Sequence, residues 1–497
     1  MLNSQLIKFN HRASEPTFIR LFIVVIPLIF AIILISTISI NNKWFFMGFM
    51  SVLFLCVATI FHDLRLFFLI LLCACVPIDL QYDVINHGKK FSTLEHWGGA
   101  TDNPIVHLVD FPILVLIMMW LMDIATNSRK LPKWEKFDNL AILFLIISSF
   151  SVFNTEEYGL WFAEILRYCK YFMLLWILRT YFDNPNYIWW CLYVMSAMVA
   201  LEALVAVLQY FLFFNLPFPV GGVTGSQFDT VNNVVIQRVT GLIGFCNTFA
   251  AYLIFPICIT FVIVVSKCHP LIRIIAAGLF GLGCLSSVLT FSRNSWMVTV
   301  IGLLIIVIIG IYKKRISLPL MLSIIGLATA IFGFLLLSEV FQTILIRLLE
   351  DNGSAYDSRW DLFMVAFEIF KNYPFFGAGL NCFEEIMSMY DKSGITNVIQ
   401  QPVHNIYFLI MAETGIFSII AFLAIGIYII KKSTLILKNN DNFSFVLGTS
   451  SYTILITLAI SNFFDVTMRK EPIIGMMTLI TAMILSYDRI KNEKAFN

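Results

Sequence analysis

The sequence predicts an all-α fold, a polytopic bundle of transmembrane helices, and three observations carry that prediction. Of 497 residues, 59% are hydrophobic and only 13% are charged, where soluble domains run near 45–50% apolar and about 25% charged. Mean hydropathy is +0.86. Apolar stretches recur along the chain at the length of about 20 residues that a bilayer asks of a spanning helix. A water-soluble globular protein is thereby excluded. The 48 Phe residues suit lipid-facing surfaces. Lys and Arg number 33 against 31 Asp and Glu, a net +2, so the basic excess expected of a nucleic-acid-binding protein is missing. The 10 Cys are scattered, Cys73 and Cys75 being the closest pair, and they form neither a zinc spacing nor a disulfide framework.

Lys8, Arg12 and Arg20 precede an apolar stretch from Leu21 to Ile40. That stretch exceeds a signal-peptide core and runs on into Asn41-Asn42-Lys43-Trp44 without a small-residue cleavage site, so a retained first helix is expected. Further spans are expected near 44–61, 64–80, 108–126, 139–153, 160–181, 187–214, 242–266, 271–291, 295–311, 317–338, 404–430, 444–463 and 471–487, about 14 in all. The stretch 139–153 is short for a span, and only Ser292-Arg293-Asn294 separates 271–291 from 295–311. Two segments, 81–107 and 339–403, are too long and polar to be simple turns. In the second, Trp360, Phe363, Phe367 and Phe370 recur at helical spacing, with Asp361 and Glu368 turned elsewhere. This predicts a short amphipathic helix lying in the outer interface. Tyr373-Pro374-Phe375-Phe376-Gly377-Ala378-Gly379 follows it as a turn.

Short basic loops set orientation. Arg129-Lys130-Lys133-Lys136, Lys313-Lys314-Arg315, Lys431-Lys432-Lys438 and Arg489-Lys491-Lys494 fall on one side when both termini are cytoplasmic. The segments 81–107 and 339–403 are then extracytoplasmic.

Charges within spans are costly and mark function by default. Glu164, Arg167 and Lys170 form one helical stripe, and Glu202 of the next span is within reach of either cation by sequence position. The stripe reads either as an internal ion-pair network or as a cavity where Arg167 meets an anionic headgroup. Arg238 lies in Gln237-Arg238-Val239-Thr240-Gly241 ahead of Asn247 and Thr248. Arg293 lies in Ser292-Arg293-Asn294-Ser295-Trp296, and Arg359 in Asp357-Ser358-Arg359-Trp360-Asp361. A single outer-edge arginine is an ordinary snorkelling side chain. Three at one level, each a planar fork suited to phosphate, read as a diphosphate clamp. His404-Asn405 closes the long loop, and a neutral imidazole there can take a proton from an attacking hydroxyl. Asp357, Asp361, Glu384 and Glu385 are rival bases.

This order of elements resembles the O-antigen ligase/polymerase family of polytopic glycosyltransferases. The resemblance runs over roughly 238–430 and rests on Arg238-Val239-Thr240-Gly241 with Asn247, Ser292 to Trp296, Arg359-Trp360, Pro374 to Gly379, His404-Asn405 and Glu413-Thr414-Gly415. It implies glycan transfer from an undecaprenyl-diphosphate carrier at the outer face of the cytoplasmic membrane, without a metal ion or other cofactor. Carried over by position, His404, Arg359 and Arg293 are the catalytic candidates. Arg238, Asn247, Arg167, Asn405 and Trp360 are the substrate-binding candidates. Expected partners are the lipid-linked glycan donor, a glycan acceptor and the bilayer. The organisation expected is 1–237 as N-terminal helices, 238–430 as the catalytic region and 431–497 as C-terminal helices. An inverting polymerase of lipid-linked repeat units is the leading reading. A ligase delivering finished glycan to a lipid A core or other acceptor is the alternative, and a transporter or lipid flippase the reading from another class.

Overall fold

The computed structural model describes residues 63–83, 105–216, 219–221, 223–231, 234–316, 353–397 and 401–496. The spans expected near 21–40, 44–61 and 317–338, the middle of the 81–107 segment, and residues 339–352 and 398–400 of the long loop lie outside the described residues.

Helix α1 (Leu64–Cys75) leads into β1 (Gln81–Asp83), which pairs antiparallel with β2 (Ile105–His107). Then come α2 (Asp110–Ala125), α3 (Lys136–Ser149) with a 3-10 turn at Phe150–Phe153, α4 (Tyr158–Tyr181) and α5 (Pro185–Leu212). A second antiparallel hairpin, β3 (Gln227–Val231) with β4 (Val234–Arg238), precedes α6 (Cys246–Val265), α7 (Pro270–Leu289) and α8 (Arg293–Tyr312). The described chain resumes with α9 (Gly353–Asn372), α10 (Phe383–Tyr390), α11 (Ile406–Leu437), α12 (Asn442–Ser461) and α13 (Glu471–Phe496).

Eight of these segments, among the described residues, are long and apolar enough to cross a membrane: Lys136–Phe153, Pro185–Leu212, Cys246–Val265, Pro270–Leu289, Arg293–Tyr312, Ile406–Leu437, Asn442–Ser461 and Glu471–Lys491. The short stretch near 139–153 reaches span length because the 3-10 turn extends α3. The two apolar runs around Ser292 are separate helices, parted by Phe291 in the left-handed region at φ 50°. The span expected at 64–80 is cut to the 12 residues of α1, since Pro77 disfavours helix in the residue before it. Composition and hydropathy gave no hint of the two β-hairpins, which sit in connections between helices.

Helix α6 is the axis of the bundle. Nearly all of it is buried, and α5, α7, α8, α12 and α13 pack around it. The outer helices keep apolar side chains exposed, such as Ile274, Ile275 and Leu285 on α7 and Val300, Leu304 and Ile308 on α8. Such a surface suits contact with lipid.

Chain direction alternates, so contacts fall at two ends. At one end lie the basic loops. Arg179 bonds Asp138 at 2.7 Å and Glu135 at 3.2 Å, Lys432 bridges Glu135 (3.2 Å) and Asp488 (2.8 Å), and Arg129 pairs with Asp183. The other end gathers the first turns of α4, α6, α8, α11 and α13 with the last turns of α7 and α12.

Helix α11 breaks at Gly415, where φ is 79° and ψ −176°. The loop after α9 fills the break. Ile416 N donates to Pro374 O at 2.9 Å, Ala378 N to Ala412 O at 3.0 Å, and Gly379 N to Glu413 O at 3.0 Å. A Cβ on Gly415 would lie 2.2 Å from Phe375 O, and one on Gly377 (φ 68°) would lie 2.1 Å from the Glu413 carbonyl carbon. Both positions need bare backbone. Pro374 to Gly379 and Glu413 to Gly415, distant in sequence, are two halves of one clasp.

The amphipathic helix is rotated from the expected face. On α9 the buried stripe is Leu362, Val365, Ala366 and Ile369, packed with Ile406, Leu409 and Ile410 of α11. Trp360 is 56% exposed and Phe367 36%. Both stripes have helical spacing; the aliphatic one wins because Ala366 lets two helices approach where a row of aromatic rings would hold them apart. Helix α9 thus packs alongside α11.

Candidate functional site

The turn between α12 and α13 binds together the helix starts at the second end. Ser461 receives Asn294 Nδ2 of α8 on its carbonyl (3.1 Å) and its Oγ (3.0 Å). Asn462 O accepts from Ile406 N at 3.1 Å and Phe463 O from Asn405 Nδ2 at 3.1 Å, which fixes the start of α11. Arg469 donates to Glu413 Oε1 (3.2 Å) and Asn381 Oδ1 (2.6 Å), while its carbonyl accepts from Arg167. Lys470 lies over the Phe245 ring at 5.5 Å, beside the start of α6. The turn is closed internally, since Asn462 Oδ1 accepts from Met468 N at 3.2 Å.

His404 stands just outside α11. Its neighbour Asn405 is the N-cap, the side-chain oxygen accepting from Tyr407 N (3.0 Å) and Phe408 N (3.2 Å), which satisfies amides a helix start leaves open. Asn405 therefore has both amide atoms engaged with the protein and holds His404 in place. His404 Nδ1 is 3.8 Å from Asp465 Oδ1, and the imidazole side chain is 27% exposed against 13% for the carboxylate. Asp465 is itself anchored, accepting from Val466 N at 2.7 Å.

Arg238 ends β4 and is buried. Nε donates to Thr290 O (2.8 Å), Nη1 to Asp229 Oδ2 (2.8 Å) and Nη2 to Asn247 Oδ1 (2.6 Å). It ties the hairpin to the end of α7 and the start of α6. Arg293 is the first residue of α8. Its motif neighbours anchor the turn: Ser295 Oγ donates to Ala250 O at 3.0 Å and Trp296 Nε1 to Ser287 O at 3.0 Å. Phe291, fully buried, is held in its left-handed conformation between Tyr210 and Trp296, a strained position that only surrounding packing maintains.

Arg359 and Trp360 are exposed near the start of α9. Trp360 stacks on Phe363 at 5.5 Å, and Phe363 meets Phe408 of α11 at 3.8 Å between ring centroids. The two helices run in the same direction. Arg359 lies four residues before Phe363, and His404 four before Phe408, so both approach the same end of the pair.

The α4 stripe is a packing network. Arg167 is 5% exposed and donates to Glu164 and to the Arg469 carbonyl. Lys170 pairs with Asp110 at 3.0 Å and Glu471 at 3.2 Å. Of the two readings the stripe allowed, the structure supports the ion-pair network. Glu202 does not join it; its carboxylate accepts from Leu242 N at 2.9 Å, because α5 turns that residue toward the connection before α6.

Three residues at this end escaped notice in the sequence, Asp465, Arg469 and Lys470, and a fourth, Glu384, stood there only as one of the rival bases. The first three had a signal, a polar run from Asn462 to Glu471 between two apolar spans. Glu384, in the first turn of α10, is 2% exposed. Burial pushes its carboxyl pKa up, against the pull of Arg469 and Lys470. Burial, reinforced by Arg469, lowers that of Lys470.

Residues 277–423 match a family model described as O-antigen ligase. The family expected from the motifs is the one matched, over a shorter stretch than 238–430. The matched residues include Arg293, Arg359, His404-Asn405 and both halves of the clasp; Arg238, Asn247 and Asp465 lie outside them. A search of curated proteins finds no match.

Proposed function

We propose that this multi-pass membrane protein transfers glycan from a lipid-diphosphate carrier to an acceptor hydroxyl, with His404 as the base. The observation that carries the reading is the meeting of His404 with Asp465 at the α12–α13 turn. The same turn holds the start of α8, where Arg293 lies, and the region matching O-antigen ligases supplies both His404 and Arg293. The basic loops at the opposite end favour a cytoplasmic location for that end, so the site faces away from the cytosol, at the outer face of a bacterial inner membrane.

In the reaction, Nε2 of His404 takes the proton of the acceptor hydroxyl as its oxygen attacks the anomeric carbon. The bond from that carbon to the diphosphate oxygen breaks, and the lipid diphosphate leaves with its electron pair. Attack from the face opposite the leaving group inverts the centre. Asp465, on the Nδ1 side, steadies the imidazolium. Arg293 and Arg359 stabilise the charge developing on the diphosphate, as fixed donors do best where they need no reorganisation. Arg238 and Asn247 position the hairpin and helix starts around them, Asn405 holds His404, and Trp360 offers a ring beside Arg359 for a sugar or lipid. Asp357, Asp361, Glu384 and Glu385 are the alternative bases.

We take the acceptor to be another lipid-linked repeat unit, which makes the protein a polysaccharide polymerase. The description of the matching family favours a second reading, a ligase passing finished glycan to a lipid core or other acceptor. Deleting the gene and separating surface glycans by size tests both. Collapse of long chains to single attached repeats supports the polymerase. Polymer retained on its carrier, with none attached, supports the ligase. An unchanged glycan profile removes both.

A further inference from the structure

The basic end of the bundle is charge-matched on one side and unmatched on the other. Around α3, α4 and the end of α13, Arg179, Lys432 and Arg129 each meet a carboxylate. Where α6 and α8 end beside the turn between α11 and α12, the cations meet neutral acceptors instead. Lys313 Nζ donates to Asn440 Oδ1 at 3.1 Å, and Arg315 donates to Asn440 O at 2.5 Å and to Asn442 Oδ1 at 3.4 Å. The same Asn442 oxygen accepts from Lys267 N at 2.8 Å. Arg273, in the first turn of α7, donates from Nε to Val264 O at 2.8 Å, near the end of α6. None of these four cations pairs with a carboxylate among the described residues. Asp441, the acid of the turn itself, is engaged as the N-cap of α12, accepting from Ser444 N at 2.9 Å and from the Ser444 hydroxyl. Arg315 is pinned over the Phe445 ring at 4.9 Å. Burial pulls its pKa down, and the charge of Asp441 does not restore it. The C-termini of α6 and α8 offer only about half a negative charge each, against four full positive ones.

Apolar surface borders this cluster. Leu271, Ile274 and Ile275 in the first turns of α7 are exposed, as are Ile308, Ile311 and Tyr312 in the last turns of α8. The two helices pack on α6 more than on each other. The cations therefore stand where a lipid-facing surface ends, at the level of headgroup phosphates. We propose that Lys267, Arg273, Lys313 and Arg315 bind the headgroup of an anionic phospholipid whose acyl chains lie along α7 and α8. Charge complementarity and the apolar border together select this occupant. A zwitterionic headgroup brings no net charge to balance the cluster, and a soluble anion makes no use of the apolar faces beside it. Each guanidinium has five N–H donors, of which Arg315 commits two and Arg273 one to neutral acceptors. The rest are open to phosphate oxygens, with the two lysines as added point charges. Basic sites beside spanning helices on the cytoplasmic side suit such headgroups. The site is independent of the glycan-transfer reading and lies at the opposite end of the bundle from His404.

The test uses the purified full-length protein in phosphatidylcholine nanodiscs doped with photoactivatable phosphatidylglycerol, or with the matching phosphatidylcholine probe. After irradiation the labelled peptides are mapped. The phosphatidylglycerol probe should label the first turns of α7 and the last turns of α8 several times more strongly than the other, and the preference should fade as salt is raised. Equal labelling by the two probes, or a preference confined to other peptides, overturns the site. Displacement of the lipid probe by inorganic phosphate at constant ionic strength would make the site one for a soluble anion and overturn the lipid reading. Native mass spectrometry then compares two double variants. Arg273→Gln with Arg315→Gln should weaken phosphatidylglycerol binding about tenfold or more. Lys130→Gln with Lys133→Gln, which removes two exposed charges elsewhere at the same end, should leave it unchanged. An equal loss in both pairs would assign the preference to the overall positive field, and no loss in the first would detach it from the arginines; either result overturns the site. The labelling needs no substitution, so it decides the matter even where a variant misfolds.

Discussion

Nδ1 of His404 stands 3.8 Å from Oδ1 of Asp465, across the junction where α11 begins and α12 has just ended. Each partner is fixed from its own side, His404 by the Asn405 cap and Asp465 by the amide of Val466. The separation exceeds a hydrogen bond and is short enough for the carboxylate to attract an imidazolium. His404→Ala should lower glycan transfer by about 10²–10⁴-fold, the usual worth of a general base, with expression and membrane insertion intact. Asp465→Asn should lower turnover by about tenfold or more while leaving donor binding unchanged. Near-normal transfer in His404→Ala would move the base to one of the loop carboxylates.

Arg359 is exposed on α9, so its replacement should not disturb packing. Arg359→Lys is expected to reduce turnover strongly, because an ammonium cannot reproduce a two-pronged phosphate contact, and to leave the unfolding midpoint where it was. Wild-type rates would argue against a diphosphate contact. Transfer should also persist in excess chelator; loss that a divalent ion restores would contradict charge stabilisation by arginine alone.

Arg238 should behave in the opposite way. Lysine in its place keeps at most part of the triple contact to Thr290, Asp229 and Asn247. Hydrogen bonds to a charged group contribute about 1.5–3 kcal/mol each. Arg238→Lys should therefore lower the unfolding midpoint of the detergent-solubilised protein by several degrees. An unchanged midpoint would show that the strut is dispensable.

The clasp makes a sharper demand. Gly377→Ala or Gly415→Ala forces a methyl group to within 2.1 or 2.2 Å of backbone atoms and a side chain into a left-handed conformation. Either variant should express poorly or unfold at markedly lower temperature, and normal yield of active protein would refute the clasp.

His107 gives a pH dependence. Burial opposes charge on its ring, but the 2.9 Å contact to Asp79 and the negative charge of Glu471 outweigh it, holding the pKa above the ordinary 6.5. A folded state that binds a proton more tightly than the unfolded chain is stabilised fully below the unfolded pKa, and loses that stabilisation as pH rises through the folded one. The unfolding midpoint should fall as pH is raised from about 6.5, and His107→Gln should flatten the curve. A variant that keeps the wild-type slope would assign it to another group.

Much of this molecule is legible in its sequence. Eight of the expected spans appear as helices of spanning length and apolarity among the described residues, whereas those expected at 108–126 and 160–181 form α2, of 16 residues, and α4, which carries Glu164, Arg167 and Lys170, and neither is among the eight. The α9 face was misread because two stripes satisfy helical spacing, and only the partner helix decides between them. Arg238 and Asn405 were expected to bind substrate; their side chains bond protein groups that sequence spacing does not disclose. Glu384 was recognised only as one acid among four. Its burial is a long-range fact. Asp465 was missed because a short turn between two spans reads as a connector.

That connector grips the beginnings of α8 and α11, and Lys470 within it rests against the start of α6. These helix mouths therefore share one fulcrum. The bonds at Ser461, Asn462 and Phe463 hold these mouths in one fixed relation, so the groups around His404 keep their spacing only while that turn is intact.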